Sequence, residues 1–227
     1  MSGGKIDCYM DCSSFYSILA FKYLLKQRPI LATHKVDVEF HPIFLGGVNQ
    51  GSGNKPPWSL PAKGAYSKFD TLRSQKYHGL SGIEPPPFFP ALTLLPQRAL
   101  CYIKDHFPQS TFEQAWLGML DTLWIPPQSN IAEPAAFRQC LVSMKLFSDA
   151  EVDAICTAAT QQEWKDRLTA NTKKVLDLGA FGAPWSWVRN AQGQEEPFFG
   201  SDRFHFMWEF LGLPWKDIEL LTNTAKL

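Results

Sequence analysis

The chain opens on a period of two. From Lys5 to Asp11, Ile6, Cys8 and Met10 alternate with Asp7, Tyr9 and Asp11, the pattern of a half-buried strand. After a turn at Cys12-Ser13 the period changes. Ser14 is a good helix cap, and Phe15, Ile18, Leu19, Ala20, Phe21, Tyr23, Leu24 and Leu25 follow, leaving only Lys22 and Lys26 as a polar stripe. A helix apolar on most sides packs against a sheet. It is expected to run to about Gln27 and to be closed by Pro29. Val36 to Ile43 returns to period two, with Val36, Val38 and Phe40 on one face. The order β-α-β predicts parallel strands with a right-handed crossover.

Further on the pattern turns helical. Gly46 to Pro61 reads as a long loop, rich in Gly, Asn, Ser and Pro, and Ala62 to His78 as a helix. Pro85-Pro86-Pro87 is a stiff connector. Between Gln97 and about Leu176 only helical stretches occur: Ser110 to Leu123, Glu133 to Leu146, Ser148 to Ala159 with a capping box from Ser148 and Glu151, and Gln161 to Leu178. Alternation resumes at Trp185 to Arg189 and Pro197 to Phe199, around the hairpin signal Asn190-Ala191-Gln192-Gly193. Ser201-Asp202-Arg203 then caps a last helix, Phe204 to Leu211, stopped by Gly212 and Pro214. The whole order predicts an α/β fold: a thioredoxin-like domain with an all-helical insertion after its second strand, the DsbA-like topology. Residues 1–47 and 179–221 would form the discontinuous thioredoxin-like domain, 48–178 the insertion and 222–227 a C-terminal tail.

Charge and cysteine usage narrow the function classes. Lys+Arg and Asp+Glu both number 22 in 227 residues, with no basic run, which argues against a nucleic-acid partner. The longest apolar stretch, Phe88 to Leu95, contains Pro90 and is too short to span a bilayer. The start, Met1-Ser2-Gly3-Gly4-Lys5, lacks an apolar signal core. The five cysteines, Cys8, Cys12, Cys101, Cys140 and Cys156, contain no C-x-x-C pair, so a reducing compartment fits better than a disulfide framework. His34, His41, His78, His106 and His205 show no ligand spacing, and no metal is expected. The 17 Phe and 8 Trp suit a core, an apolar substrate pocket or a subunit interface. The ending Ala225-Lys226-Leu227, after the polar Thr222, Asn223 and Thr224, is close to a peroxisomal address of the S-K-L type. The peroxisome and its import receptor are therefore expected, with cytoplasm and mitochondrion as alternatives.

Candidate chemistry gathers at the first helix. Where a thioredoxin-like oxidoreductase carries C-x-x-C, this chain has Ser14-Phe15-Tyr16-Ser17. No disulfide exchange is possible there. Ser14 is either a helix cap alone, or a hydrogen-bond donor to an external thiolate held at the helix N-terminus. Serine is a poor nucleophile without a base, and no G-x-S-x-G elbow is present. Ala183-Pro184 sits where this fold order carries a cis-proline loop, with the preceding backbone turned toward the site. Ser201 and Asp202 open the last helix, where free N–H groups suit a carboxylate and Asp202 suits an ammonium; an ordinary cap is the alternative. Ser52-Gly53-Asn54-Lys55-Pro56-Pro57 fails the phosphate-loop pattern at Pro56.

Four segments together resemble the kappa class of glutathione transferases and their kin, the 2-hydroxychromene-2-carboxylate isomerases. They are Tyr9 to Phe21, Ser52 to Gly64, Gly179 to Pro184 and Phe199 to Arg203, in the same order and spacing over nearly the whole chain. The resemblance implies glutathione as cosubstrate, a small apolar electrophile as acceptor, a detoxifying role and a homodimer. It implies that Ser14 is the catalytic serine holding the glutathione sulfur, with Phe15 and Tyr16 beside it. Asn54 and Lys63 would lie near the glycyl end, Ala183 would pair through its backbone with the cysteinyl unit, with Pro184 beside it in the glutathione site, and Ser201 and Asp202 would hold the γ-glutamyl group. Phe15 departs from the family's usual Pro, and Ile18 from its usual aromatic. A glutathione-dependent isomerase and a non-catalytic binding scaffold are the alternatives.

Overall fold

A computed structural model describes residues 3–216. The predicted Ala225-Lys226-Leu227 address lies outside the described residues. Strands β1 (Gly4–Met10), β2 (Val36–Pro42), β3 (Trp185–Arg189) and β4 (Glu195–Phe199) form one sheet in the order β2-β1-β3-β4. β1 and β2 are parallel, with Ile6 opposite Val38 and Cys8 opposite Phe40. β3 runs antiparallel to β1, and β4 antiparallel to β3. Asn190 closes the predicted hairpin: its side-chain oxygen accepts from the backbone of Gln192 and Gln194 at 3.0 Å each, while Gly193 takes φ +78°, where a side chain is strained.

Helix α1 (Phe15–Thr33) packs Phe21 against Phe40 of the sheet on one side and against Trp116 on the other, at 4.6 and 5.6 Å between ring centroids. That two-sided burial explains its near-absence of a polar face. The helix does not stop at Pro29, as its sequence predicts, but runs through it. Arg28 pairs with Glu113 and donates to the Val38 carbonyl, and Leu31 is buried. These tertiary anchors on both sides outweigh the missing backbone N–H.

The predicted loop after β2 holds a second correction. Leu45–Ser52 is a helix, α2. Its first free N–H groups are met from afar: Phe44 N donates to Thr172 Oγ1 at 3.0 Å and Leu45 N to Asp11 at 2.7 Å. Val48 is fully buried beneath it. A short 3₁₀ turn, Pro57–Ser59, leads into α3 (Pro61–Tyr77). Then follow α4 (Leu94–His106), α5 (Gln109–Trp124), α6 (Pro134–Ser143), α7 (Asp149–Ala158) and α8 (Gln162–Asp177). Ser148 and Glu151 make the predicted capping box. Helix α9 (Phe204–Phe210) follows β4. The insertion between β2 and β3 is thus helical, and Trp116, Leu120, Trp124 and Phe137 join its core to that of the sheet.

Candidate active site

Ser14 stands at the join between β1 and α1, where its backbone is extended (φ −99°, ψ 117°) and its oxygen accepts from Ser17 N at 3.2 Å. It is the helix cap its sequence predicts. Its hydroxyl also donates to the Ala183 carbonyl at 2.9 Å. A hydroxyl has one proton to give, and in this state the proton is committed. Ser14 is 6% exposed and Ala183 7%. The Ala183–Pro184 bond is cis, as the fold order predicts. This contact brings together residues 169 positions apart.

The other predicted residues make separate contacts. Asn54 Nδ2 donates to the Phe181 carbonyl at 2.6 Å, tying the loop after α2 to the loop before β3. Gly182 is needed in that loop, since a Cβ there would meet the Phe199 ring at 2.8 Å. Tyr16 OH donates to Asp70 at 2.6 Å, and Tyr66 OH reaches the same carboxylate at 3.2 Å. Burial, and then the Asp70 carboxylate with the charge of Asp202, push the Tyr16 phenol above its ordinary range, so it stays protonated, with its one proton given to Asp70. Ser201 is buried, and its carbonyl accepts from His78 Nε2 at 3.0 Å. Asp202 is exposed beside Arg203, with which it pairs. Lys63 lies exposed in the first turn of α3 and touches none of these residues through a hydrogen bond or ion pair among those described.

Two positions that depart from the family pattern turn inward. Phe15 packs its ring edge-on against Trp124 at 5.9 Å and is 8% exposed. What it can offer a ligand is its backbone N–H, one of the unpaired donors of a helix N-terminus. Ile18 is fully buried. Cys12, just before the helix, is sealed from solvent, and burial pushes its thiol well above the usual range, so it supplies no thiolate.

Asp70, Tyr66 and His78 are functional candidates that sequence reasoning missed. All three lie on or just past α3, and only the i, i+4 spacing of Tyr66 and Asp70 hinted at a pair. The fold also gathers Asp7, Glu39 and His41 within ligand distance of one another, although no histidine spacing suggests it. The parallel register places Asp7 opposite Glu39 and Tyr9 opposite His41. Lysines occupy the cluster: Lys5 pairs with Asp7 at 2.9 Å, and Lys104 Nζ with Glu39 at 2.7 Å. Lys104 also donates to His41 Nδ1 at 3.1 Å, which assigns the ring proton to Nε2, where it is donated to Asp7 at 2.6 Å.

Comparison with known proteins places this geometry among relatives. Residues 5–212 match the DsbA-like thioredoxin domain family. The chain is 30% identical over 215 residues to glutathione S-transferase kappa 1 of Caenorhabditis elegans, covering 92% of each. It is 27% identical to glutathione S-transferase kappa 1 of Homo sapiens over the same length and coverage. Among solved structures, 2-hydroxychromene-2-carboxylate isomerase superposes with a TM-score of 0.70 at 19% identity, over 92% of this chain and 94% of that one. The cytosolic disulfide reductase DsbM from Pseudomonas aeruginosa, solved with GSH, gives 0.61 at 13% identity, over 92% of this chain and 100% of that one. The last two likenesses are of fold.

Proposed function

The chain belongs to the DsbA-like thioredoxin family, in its glutathione S-transferase kappa branch, and on that premise we propose that it activates glutathione as a thiolate at the N-terminus of α1 for attack on small apolar electrophiles. The observation that carries this reading is the Ser14 hydroxyl, capping α1 and hydrogen-bonded to the Ala183 carbonyl beside a cis proline. A peptide-like ligand pairing with Ala183 would bring a cysteinyl N–H to that carbonyl. The N–H would replace the serine proton, and the freed hydroxyl would turn to the sulfur. Binding and activation would thereby be one event. The backbone N–H groups of Phe15 and Tyr16 would add donors. Asn54 and Lys63 would meet the glycyl carboxylate, and Ser201 and Asp202 the γ-glutamyl end.

Free thiols of the cysteine type have a pKa of about 8.5, so little is ionised at neutral pH. The helix N-terminus contributes roughly 0.3–1 kcal/mol, up to ~2 when partly buried, and a hydroxyl bond to a charged group about 1.5–3 kcal/mol. Together they lower the thiol pKa by roughly two units. Ser14→Ala removes the hydroxyl but keeps the helix. Turnover is expected to fall about ten- to a hundredfold, with little change in glutathione affinity, and the ultraviolet absorbance of the bound thiolate should appear at higher pH. Ser17→Ala removes a buried hydroxyl that has no partner among the described residues, and should leave activity nearly unchanged. Equal turnover and an unshifted titration in Ser14→Ala would reduce Ser14 to a cap. Mass spectrometry of products separates conjugation from isomerisation, which leaves no conjugate.

We propose a peroxisomal location from Ala225-Lys226-Leu227. An N-terminal fluorescent fusion should enter peroxisomes, and deleting Leu227 should release it to the cytosol. Unchanged localisation after the deletion would remove the tail as the signal.

A further inference from the structure

Away from the Ser14 cluster, a cleft of about 230 Å³ opens where α2, α4 and α8 meet. Its apolar wall includes Phe44, Leu168 and Leu176, and its charged residues are Arg98, Lys165 and Lys173. No aspartate or glutamate lines it. The chain as a whole has a formal charge of zero. Lys173 pairs with Asp177 on its own helix at 2.6 Å. Arg98 and Lys165 form no ion pair among the described residues. The Arg98 Nε is shut off from solvent with no hydrogen-bond acceptor among those residues. Buried polar atoms of native proteins are almost always partnered, so the Arg98 guanidinium is not satisfied by the described residues in this arrangement, and a small turn of the side chain toward the cleft would be needed for it to meet an acceptor. A separate cleft along β2 has the opposite character: there Arg28 is paired to Glu113, and Lys5 and Lys104 to Glu39.

We infer that the α2–α4–α8 cleft binds a small amphipathic monocarboxylate, its carboxylate on Arg98 and its apolar body against Leu168, Leu176 and Phe44. The guanidinium fork matches a carboxylate with two parallel hydrogen bonds. Lys165 lies on the face of α8 that the cleft exposes, eleven residues and three turns before Leu176, and adds a second positive charge. The volume is that of a short-chain ligand rather than a bulky one. It falls below the range of drug-sized ligands, and a six-carbon acid is a suitable probe. The site shares no residue with the proposed glutathione contacts, so it stands or falls independently of the transferase reading.

The experiment is a two-dimensional amide NMR titration of the full chain with sodium hexanoate. Saturable shifts are expected at residues 94–98 and 165–176, with those around Ser14 unmoved. 1-Hexanol, which keeps the tail, and acetate, which keeps the head, should each bind at least tenfold more weakly, as should inorganic phosphate. Arg98→Met should weaken hexanoate at least tenfold. Lys165→Gln, at a partly exposed position, should weaken it severalfold and serves should Arg98→Met not fold. No saturable shift in the parent chain overturns the inference. So do shifts confined to the Ser14 region, equal affinity for hexanol or phosphate, or hexanoate binding undiminished in both variants.

Discussion

Asp7 and Glu39 sit side by side across two parallel strands, and each would repel the other without Lys5 and Lys104 between them. Against the upward push of partial burial, hydrogen bonds from His41 and Lys5 hold the Asp7 carboxyl at about 2. At Glu39 burial likewise pushes upward, and the hydrogen bonds from Lys104 and Lys5 overcome it, so that its carboxyl also lies at about 2. Both values are below those of the unfolded chain, so the unfolded state binds more protons in acid. Their stabilisation is complete above about pH 5 and is lost as pH falls toward 2. Urea midpoints measured from pH 6 down to pH 2.5 should fall steeply for the parent and less steeply for Asp7→Asn. Parallel curves would show that the network gives no pH-dependent stability. This cluster was not legible in the sequence. Asp7 and Glu39 read there as the polar half of two alternating strands, and only the register joins them. Ser14 was legible because a cap, a strand end and a helix start are all local features. The proton it gives to Ala183 was not, since that bond spans 169 positions.

At the level of elements the difference is the same one. Strand alternation, the hairpin at Asn190 and the capping box at Ser148 are written within a few residues, and they appear where the pattern put them. Helix α2 and the far half of α1 are not written locally. Leu45–Ser52 contains three glycines, poor helix formers, and gains its first turn from donors met by Asp11 and Thr172. One side chain on α4 ties the strand ends together. Gln97 is fully buried; its amide donates to the carbonyls of Met10 at 2.9 Å and Ile43 at 2.6 Å, and its oxygen accepts from Cys12 N at 3.4 Å. Gln97→Leu fills similar space but strands two backbone groups, Cys12 N and the Ile43 carbonyl, since the Met10 carbonyl keeps its bond from Ile43 N at 3.0 Å. Each buried unsatisfied group costs about 1–3 kcal/mol, of which solvent entry recovers part. The variant should lose about 2–4 kcal/mol in chemical denaturation. A loss under about 0.5 kcal/mol, the scale of an ordinary surface change, would mean the clamp is dispensable.

Across the whole molecule, apolar surface is concentrated on the outside of α3. Tyr66, Phe69, Leu72 and Tyr77 are each 58–66% exposed, on adjacent faces of one helix. A patch of this kind on a globular chain marks an interface. We propose that the homodimer expected from the family resemblance buries it. Sedimentation should give a dimer for the parent and a monomer for the double variant Phe69→Lys, Leu72→Lys. A dimer in both would place the interface elsewhere. The same helix carries Asp70, which holds Tyr16, and ends at His78, which holds the Ser201 carbonyl, so subunit contact and substrate contact would share one element. No helix among the described residues is long and apolar enough to cross a membrane. The Ser14–Ala183 bond has one more consequence. On the proposed exchange, only a molecule that offers a backbone N–H at the right remove from its sulfur releases the serine. A thiol without a peptide unit, however abundant, would find the serine donor already engaged and would have only the helix N-terminus to stabilise its thiolate. Discrimination among the small thiols of a cell would then rest partly on the resting state of Ser14, and not only on a pocket that rejects the wrong ones.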